Sequence, residues 1–225
     1  MKFSHALTYA FLLTASVSSA ATIDFAPCSD PSIQKQRSEE LQGLYSADQS
    51  DYRKDVETHP DQPIDPKRLE EMAINDLNRR KRVGEIFAEG CFQTAADYSS
   101  AAMIYQHGDV PDHYFQAFLW AKQAVALGDE NEKSVVAIAI DRYLVHSGQK
   151  QLFGSQAERA TSSQCWCLDP IEDSFPDSMR VQYGRKPLAG ALSWLKQLNG
   201  PNNCPDAYCA EVLKPTPRGT VVGFW

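Results

Sequence analysis

Three consecutive apolar segments, each opened by a capping residue and closed by a glycine, restrict this chain more than any other feature of it. Thr94 precedes a run from Ala95 to His107, which Gly108 ends. Pro111 and Asp112 open a second run to Leu127, ended by Gly128, and a third extends from about Asn131 to Ser147 and stops at Gly148. A hydroxyl or proline at the start and a glycine just past the end are how α-helices are punctuated. The centre of the third run, Val135 to Ile140, is apolar on every side, as in a helix buried by its neighbours.

Upstream, a helix opens at Pro31, capped by Ser29 or Asp30, and runs through Leu41 and Leu44 towards Tyr52. A stretch rich in proline and acid, Glu57 to Asp65, separates it from a second helix that starts at Pro66 and ends before Gly90. There Leu69, Met72, Ala73, Val83 and Phe87 recur at helical spacing, and Asp76 and Arg80 fall on the same stripe. Beyond Gln149 the pattern loosens into loops, with one amphipathic helix, Leu188 to Leu198. The expected fold is all-α: an irregular bundle of antiparallel helical hairpins with a disulfide-stapled, loop-rich C-terminal part. Residues 1–20 read as a signal peptide, 21–200 as a single helical domain, and 201–225 as a proline-rich tail pinned by cysteines.

The signal reading rests on a basic Lys2, an apolar stretch from Ala6 to Ala15, and small residues at Ser18, Ser19 and Ala20, where cleavage is expected. That stretch falls short of the roughly 20 residues that span a bilayer. The chain is thus expected to be exported, to a bacterial periplasm or the medium, without a membrane span. No Asn-x-Ser/Thr sequon occurs, which leans towards a bacterial envelope. Six cysteines, Cys28, Cys91, Cys165, Cys167, Cys204 and Cys209, follow the leader, and an oxidising compartment would pair them in one of fifteen ways. Cys204 and Cys209 are expected either to join each other or to reach Cys165 and Cys167, since a direct Cys165–Cys167 bridge leaves little room. Four thiolates could instead hold zinc, but the Cys-x-x-Cys knuckle is absent, so neither a metal nor a cofactor is expected. A net charge of −7 disfavours nucleic acid as a partner. The basic run Arg79-Arg80-Lys81-Arg82 reads as a solvated helix face.

The chain has no nucleophile elbow, zinc-protease helix, phosphate loop, dinucleotide fingerprint or EF-hand loop, which excludes the enzyme classes that depend on them. What it has is polar pairs at the ends of apolar helices: Gln106-His107 after Ala101–Tyr105, and Asp141-Arg142 after Val135–Ile140. At least one member of each pair is expected to be shielded from water and to need a partner. Asp76, Arg80, His107, Asp141 and Arg142 are placed to satisfy one another across three helices, close to the amide-rich run Gln149 to Gln156.

Taken in order, Asp48-Gln49…Arg53, Arg80…Val83, Gln106-His107, Asp141-Arg142 and Gln151…Phe153-Gly154-Ser155-Gln156 resemble a family of uncharacterised bacterial proteins. Its signature reads D-Q…R, then Q-H, D-R and Q-x-Y/F-G-T-Q. The resemblance covers Leu44 to Leu188 and takes in Asp177, Arg180, Gly184 and Pro187-Leu188. Ser155 stands where the family has threonine, keeping the hydroxyl, and the cysteines lie outside the pattern. The resemblance implies a fold and a site without an activity. Separately, Ala101–Gly108 with Pro111-Asp112, Ala117, Trp120, Ala124 and Gly128 is similar to a Sel1-type or tetratricopeptide-type hairpin.

Three readings of the polar residues follow. One is a binding or interaction protein of the cell envelope, taking a protein, peptide or small molecule in a polar pocket around His107 and Asp141. Gln106, Arg142, Gln151, Ser155, Gln156 and Arg80 would line that pocket. Another is a hydrolase-like enzyme with His107 as general acid or base, oriented by Asp141. The third is a structural network that stitches helices together.

Overall fold

The computed structural model describes residues 27–58, 65–159 and 165–225 other than 203, 206 and 211, with the side chains of 52–58 left aside. The expected signal peptide and most of the acidic, proline-rich link lie outside the described residues. Among the described residues are seven α-helices: α1 Pro31–Thr58, α2 Pro66–Ala88, α3 Ala95–Gln106, α4 Pro111–Ala126, α5 Lys133–His146, α6 Asp177–Gln182 and α7 Leu188–Asn199. Their starts follow the local chemistry. Asp30 accepts from the Ser32 amide at 2.8 Å, and Asp65 from the Lys67 amide ahead of Pro66. Thr94 and Asp97 cap each other's amides at the head of α3. A 3-10 turn, Glu130–Glu132, leads into α5, and Gly148 at φ +75° ends it in a conformation that side chains resist.

Helices α3, α4 and α5 pack as successive hairpins, with α1 and α2 against them. Alanines hold the contacts close: Ala101, Ala102, Ala117, Ala121, Ala137 and Ala139 are all fully buried. Larger side chains, among them Val83, Ile86, Ile104, Phe118 and Ile140, fill the space between. The stripe expected on α2 holds only in its second half. Val83 is buried, as is Ile86, whereas Leu69, Ala73 and Phe87 are exposed. The reason is polar: near Arg79, α2 meets α1 through ions instead of apolar groups.

The C-terminal part adds two features that the apolar pattern does not reveal. Short strands β1, Ala157–Arg159, and β2, Trp166–Leu168, form an antiparallel pair in which Glu158 faces Cys167. Helix α6 is a single short piece whose Arg180 is almost fully buried. The cysteines pair as Cys28–Cys91, Cys165–Cys204 and Cys167–Cys209. Of the two expectations for Cys204 and Cys209, the bridges to Cys165 and Cys167 are the ones formed. The segment after Gly200 is more than a pinned tail: Val221 is buried, and Phe224 and Trp225 pack against Phe118, Phe153 and Phe175.

Candidate functional site

Asp141, near the end of α5, is completely buried and organises the loop that follows. Its Oδ1 accepts the amides of Leu152 and Phe153 at 2.8 and 2.9 Å. Its Oδ2 accepts the Ser155 amide at 2.9 Å and the Ser155 hydroxyl at 2.8 Å. Burial pushes this carboxyl up while the four donors pull it down, and the net direction is upward. Every partner is a donor, so the loop is built around the ionised form. Gln151, also buried, staples the loop's other end. Its amide donates to the carbonyls of Gln156 and Asp169 at 2.9 and 2.7 Å, and its oxygen accepts the Gln156 amide at 2.8 Å. Gly154 sits in this turn at φ +73°, and a Cβ there would meet Ile171 Cδ1 at 2.9 Å. Glycine is required on both counts.

The C-terminal end of α3 receives two arginines. Arg142 Nη1 donates to the Gln106 carbonyl at 2.6 Å, and Arg80 Nη1 donates to the His107 carbonyl at 3.0 Å. Both satisfy orphan carbonyls and complement the negative end of the helix dipole. Arg142 also reaches Gln156 Oε1 at 3.2 Å, joining the α3 end to the Asp141 loop, and Arg80 pairs with Asp109 at 3.2 Å. The Gln106 carboxamide is buried, and among the described residues neither of its amide atoms has a hydrogen-bond partner.

His107 does not meet Asp141. Its Nδ1 lies 2.9 Å from Asp48 Oδ2 on α1, and its side chain is 25 % exposed. Asp141 is unavailable because its own loop occupies both oxygens, so the expected His107–Asp141 pair is replaced by His107–Asp48. Behind Asp48 stands Arg79, whose Nη1 and Nη2 bind Asp51 at 3.0 Å and Asp76 at 2.6 Å. Burial pushes Asp51 up, but Arg79, with Asn75 and Arg68, outweighs it and holds the carboxyl below its ordinary value. Asp76 therefore serves Arg79 and not Arg80. The run 79–82 is only partly a solvated face: Arg79 and Arg80 turn inward, and Arg82 is bound to Glu40 at 2.6 Å.

The sequence-selected residues thus fall into two linked groups. Asp141, Gln151, Ser155 and Gln156 build the loop, while Arg80, Gln106, His107 and Arg142 gather at the α3 end, and Arg142–Gln156 joins them. Asp48 was legible in the Asp48-Gln49 motif without being selected as a site residue. Arg180 gave no signal beyond its place in the family pattern. Its guanidinium donates to the carbonyls of Leu152, Phe175 and Glu172 and to Asp177, at 2.7–2.9 Å, and so fixes the loop from below. Glu158, Asp169 and Cys209 lie close enough to share a cation, but the Cys209 sulfur is bonded to Cys167 and offers no thiolate.

These features define a helical-hairpin protein in which one buried carboxylate clamps a glycine-bearing loop and disulfides staple the C-terminal part. The chain belongs to the family of unknown function DUF6624, whose model matches residues 34–201. No curated protein and no solved structure matches it. Among the described residues, no helix is long and apolar enough to cross a membrane.

Proposed function

We propose that this chain is an exported binding protein of the cell envelope whose ligand, a protein, peptide or small molecule, seats at the α3 end around His107. Three disulfides and an apolar leader support export. The observation that carries the binding reading is the buried, unpartnered carboxamide of Gln106 beside a partly exposed His107 held by Asp48. A buried amide without partners costs stability, which a fold keeps for a reason. Titration of isotopically labelled protein with capped tripeptides, amino sugars and small organic acids tests it. Signals of Gln106, His107, Arg142 and Gln156 should move together, and His107→Ala should abolish the response. Shifts confined to other regions would refute the seat.

The His107–Asp48 pair favours one second reading, a hydrolase-like enzyme with His107 as general acid or base and Asp48 as its orienter. Turnover of activated ester or amide substrates that His107→Ala and Asp48→Asn both remove would establish it. A wild-type rate no faster than the variants' would exclude it for those substrates.

A further inference from the structure

The loop clamped by Asp141 also borders a cavity of about 120 Å³, lined by Phe153, Gly154, Arg185, Lys186, Ala191 and Trp194. Arg185 follows the end of α6, where its amide donates to the Arg180 carbonyl at 2.9 Å. Its guanidinium lies 5.7 Å from the centre of the Trp194 ring, and its Nε is shut off from solvent with no acceptor. No hydrogen bond or ion pair of this guanidinium occurs among the described residues. The three most deeply buried arginines have carboxylates: Arg79 binds Asp51 and Asp76, Arg80 binds Asp109, and Arg180 binds Asp177. Arg185 differs from these three in having no carboxylate bonded to it: burial lowers its pKa, and the Asp141 carboxylate, which makes no bond to it, offsets only part of that. Lys186, adjacent and exposed, donates to the Gln197 amide oxygen at 3.3 Å. A half-buried guanidinium with no carboxylate bonded to it thus borders one small cavity, with Lys186 at its rim.

We propose that this cavity binds a carboxylate, that of a small organic acid or of a peptide C-terminus. Arg185 presents its planar fork, Lys186 supplies a second charge, and the Trp194 ring packs against the ligand's short stem. A guanidinium edge matches a carboxylate with two parallel hydrogen bonds. The cavity's size admits that group and little more. The site lies outside the polar cluster at His107, so it stands or falls independently of the function proposed there.

The test is a titration of the full-length, disulfide-bonded protein at constant ionic strength, reading the Trp194 indole N–H by NMR. The probes are acetate, N-acetylglycine, the tripeptide Gly-Gly-Ala with a free C-terminus, N-acetylglycinamide and inorganic phosphate. The carboxylates should shift the signal saturably and the uncharged amide should not. Tripeptide binding tighter than acetate identifies a peptide end, and the reverse a small acid. Arg185→Met should weaken binding about tenfold or more, on the scale of a lost charge-assisted pair. Arg185→Lys, which keeps the charge and the packing, should fold as wild type and still bind several-fold more weakly. Equal binding of the amide, saturation by phosphate alone, no saturable shift, or wild-type affinity in Arg185→Lys and Arg185→Met would each overturn the proposal.

Discussion

His107 and Asp48 lie 59 residues apart in sequence and 2.9 Å apart in space, joining the end of α3 to the middle of α1. Asp48 is almost fully buried, and besides His107 it meets the Gln49 amide at 3.0 Å and Arg79 Nε at 3.7 Å. Removing the carboxylate takes one of three carboxylates from the buried Arg79 and the acceptor from both His107 and the Gln49 amide, whereas removing the imidazole leaves Asp48 its other neighbours. Asp48→Ala should therefore destabilise more than His107→Ala, by about 2–3 kcal/mol against about 1 kcal/mol. Urea unfolding of both variants and the double mutant checks the order. The double mutant should cost less than the sum of the singles, and strict additivity would show that the pair is not coupled.

Glu132 supplies a pH signal of known direction. Its Oε2 is buried without a hydrogen-bond partner among the described residues, beside a cavity of about 250 Å³ lined also by Tyr45, Ser99, Met103 and Asp129. Burial, reinforced by the Asp129 carboxylate and only partly opposed by the Ser99 hydroxyl, pushes Glu132 from 4.5 up to about 7. The folded state then holds a proton that the unfolded chain has released between pH 4.5 and 7, so stability falls as pH rises through that window. After allowance for solvent screening the loss amounts to about 1–2 kcal/mol. Glu132→Gln should flatten this part of the profile and be more stable than wild type at pH 8. Urea midpoints at pH 5 and pH 8 measure it, and an unchanged slope in the variant would count against the assignment.

The disulfides make separable demands. Cys28–Cys91 closes 63 residues and anchors the entry to α1 beside the end of α2, while Cys167–Cys209 closes 42 and holds β2 to the C-terminal segment. Loops of this size give about 4 kcal/mol each in the chain-entropy account. Oxidised protein unfolded in guanidinium should titrate no free thiol. Replacing Cys167 and Cys209 by serine should lower stability and raise hydrogen exchange first at β2, where the Leu168 and Cys209 amides bond across. Exchange rising first in α3–α5 would contradict this.

The legible parts of the fold were those in which local chemistry decides the outcome. Thr94, Pro111, Gly128 and Gly148 mark helix ends because caps and positive φ act within a few residues. The two strands and α6 were not legible. Each is short, and each is held by distant groups: β2 by Asn199 and the disulfides, α6 by the reach of Arg180 to Leu152 and Glu172. At the site, the end-of-helix pairs announced that polar partners were needed. They did not say which, since Asp141 finds backbone amides in the next loop before any side chain from another helix. That preference is what separated His107 from Asp141.

Asp141 is the residue whose replacement tests the architecture most directly. Three backbone amides and one hydroxyl point at two oxygens, with no solvent to take their place. Asparagine keeps the shape and one acceptor oxygen, but its NH₂ would face the Ser155 amide, which can only donate, while the Ser155 hydroxyl would have to turn to accept from it. Asp141→Asn should therefore lose the charge of all four bonds and leave the Ser155 amide an unpaired buried donor, costing about 2–3 kcal/mol. Asp141→Ala loses all four and opens a cavity, and should not fold stably at 37 °C. Ser155→Ala, which removes only the hydroxyl, should cost about 1 kcal/mol. Hydrogen exchange gives a readout specific to the clamp: in Asp141→Asn the amides of Leu152, Phe153 and Ser155 should lose protection before those of α3 and α4. If Asp141→Asn instead matched wild type in stability and protection, the carboxylate would be dispensable to the fold. The buried charge would then have to be explained by a function at Asp141 itself.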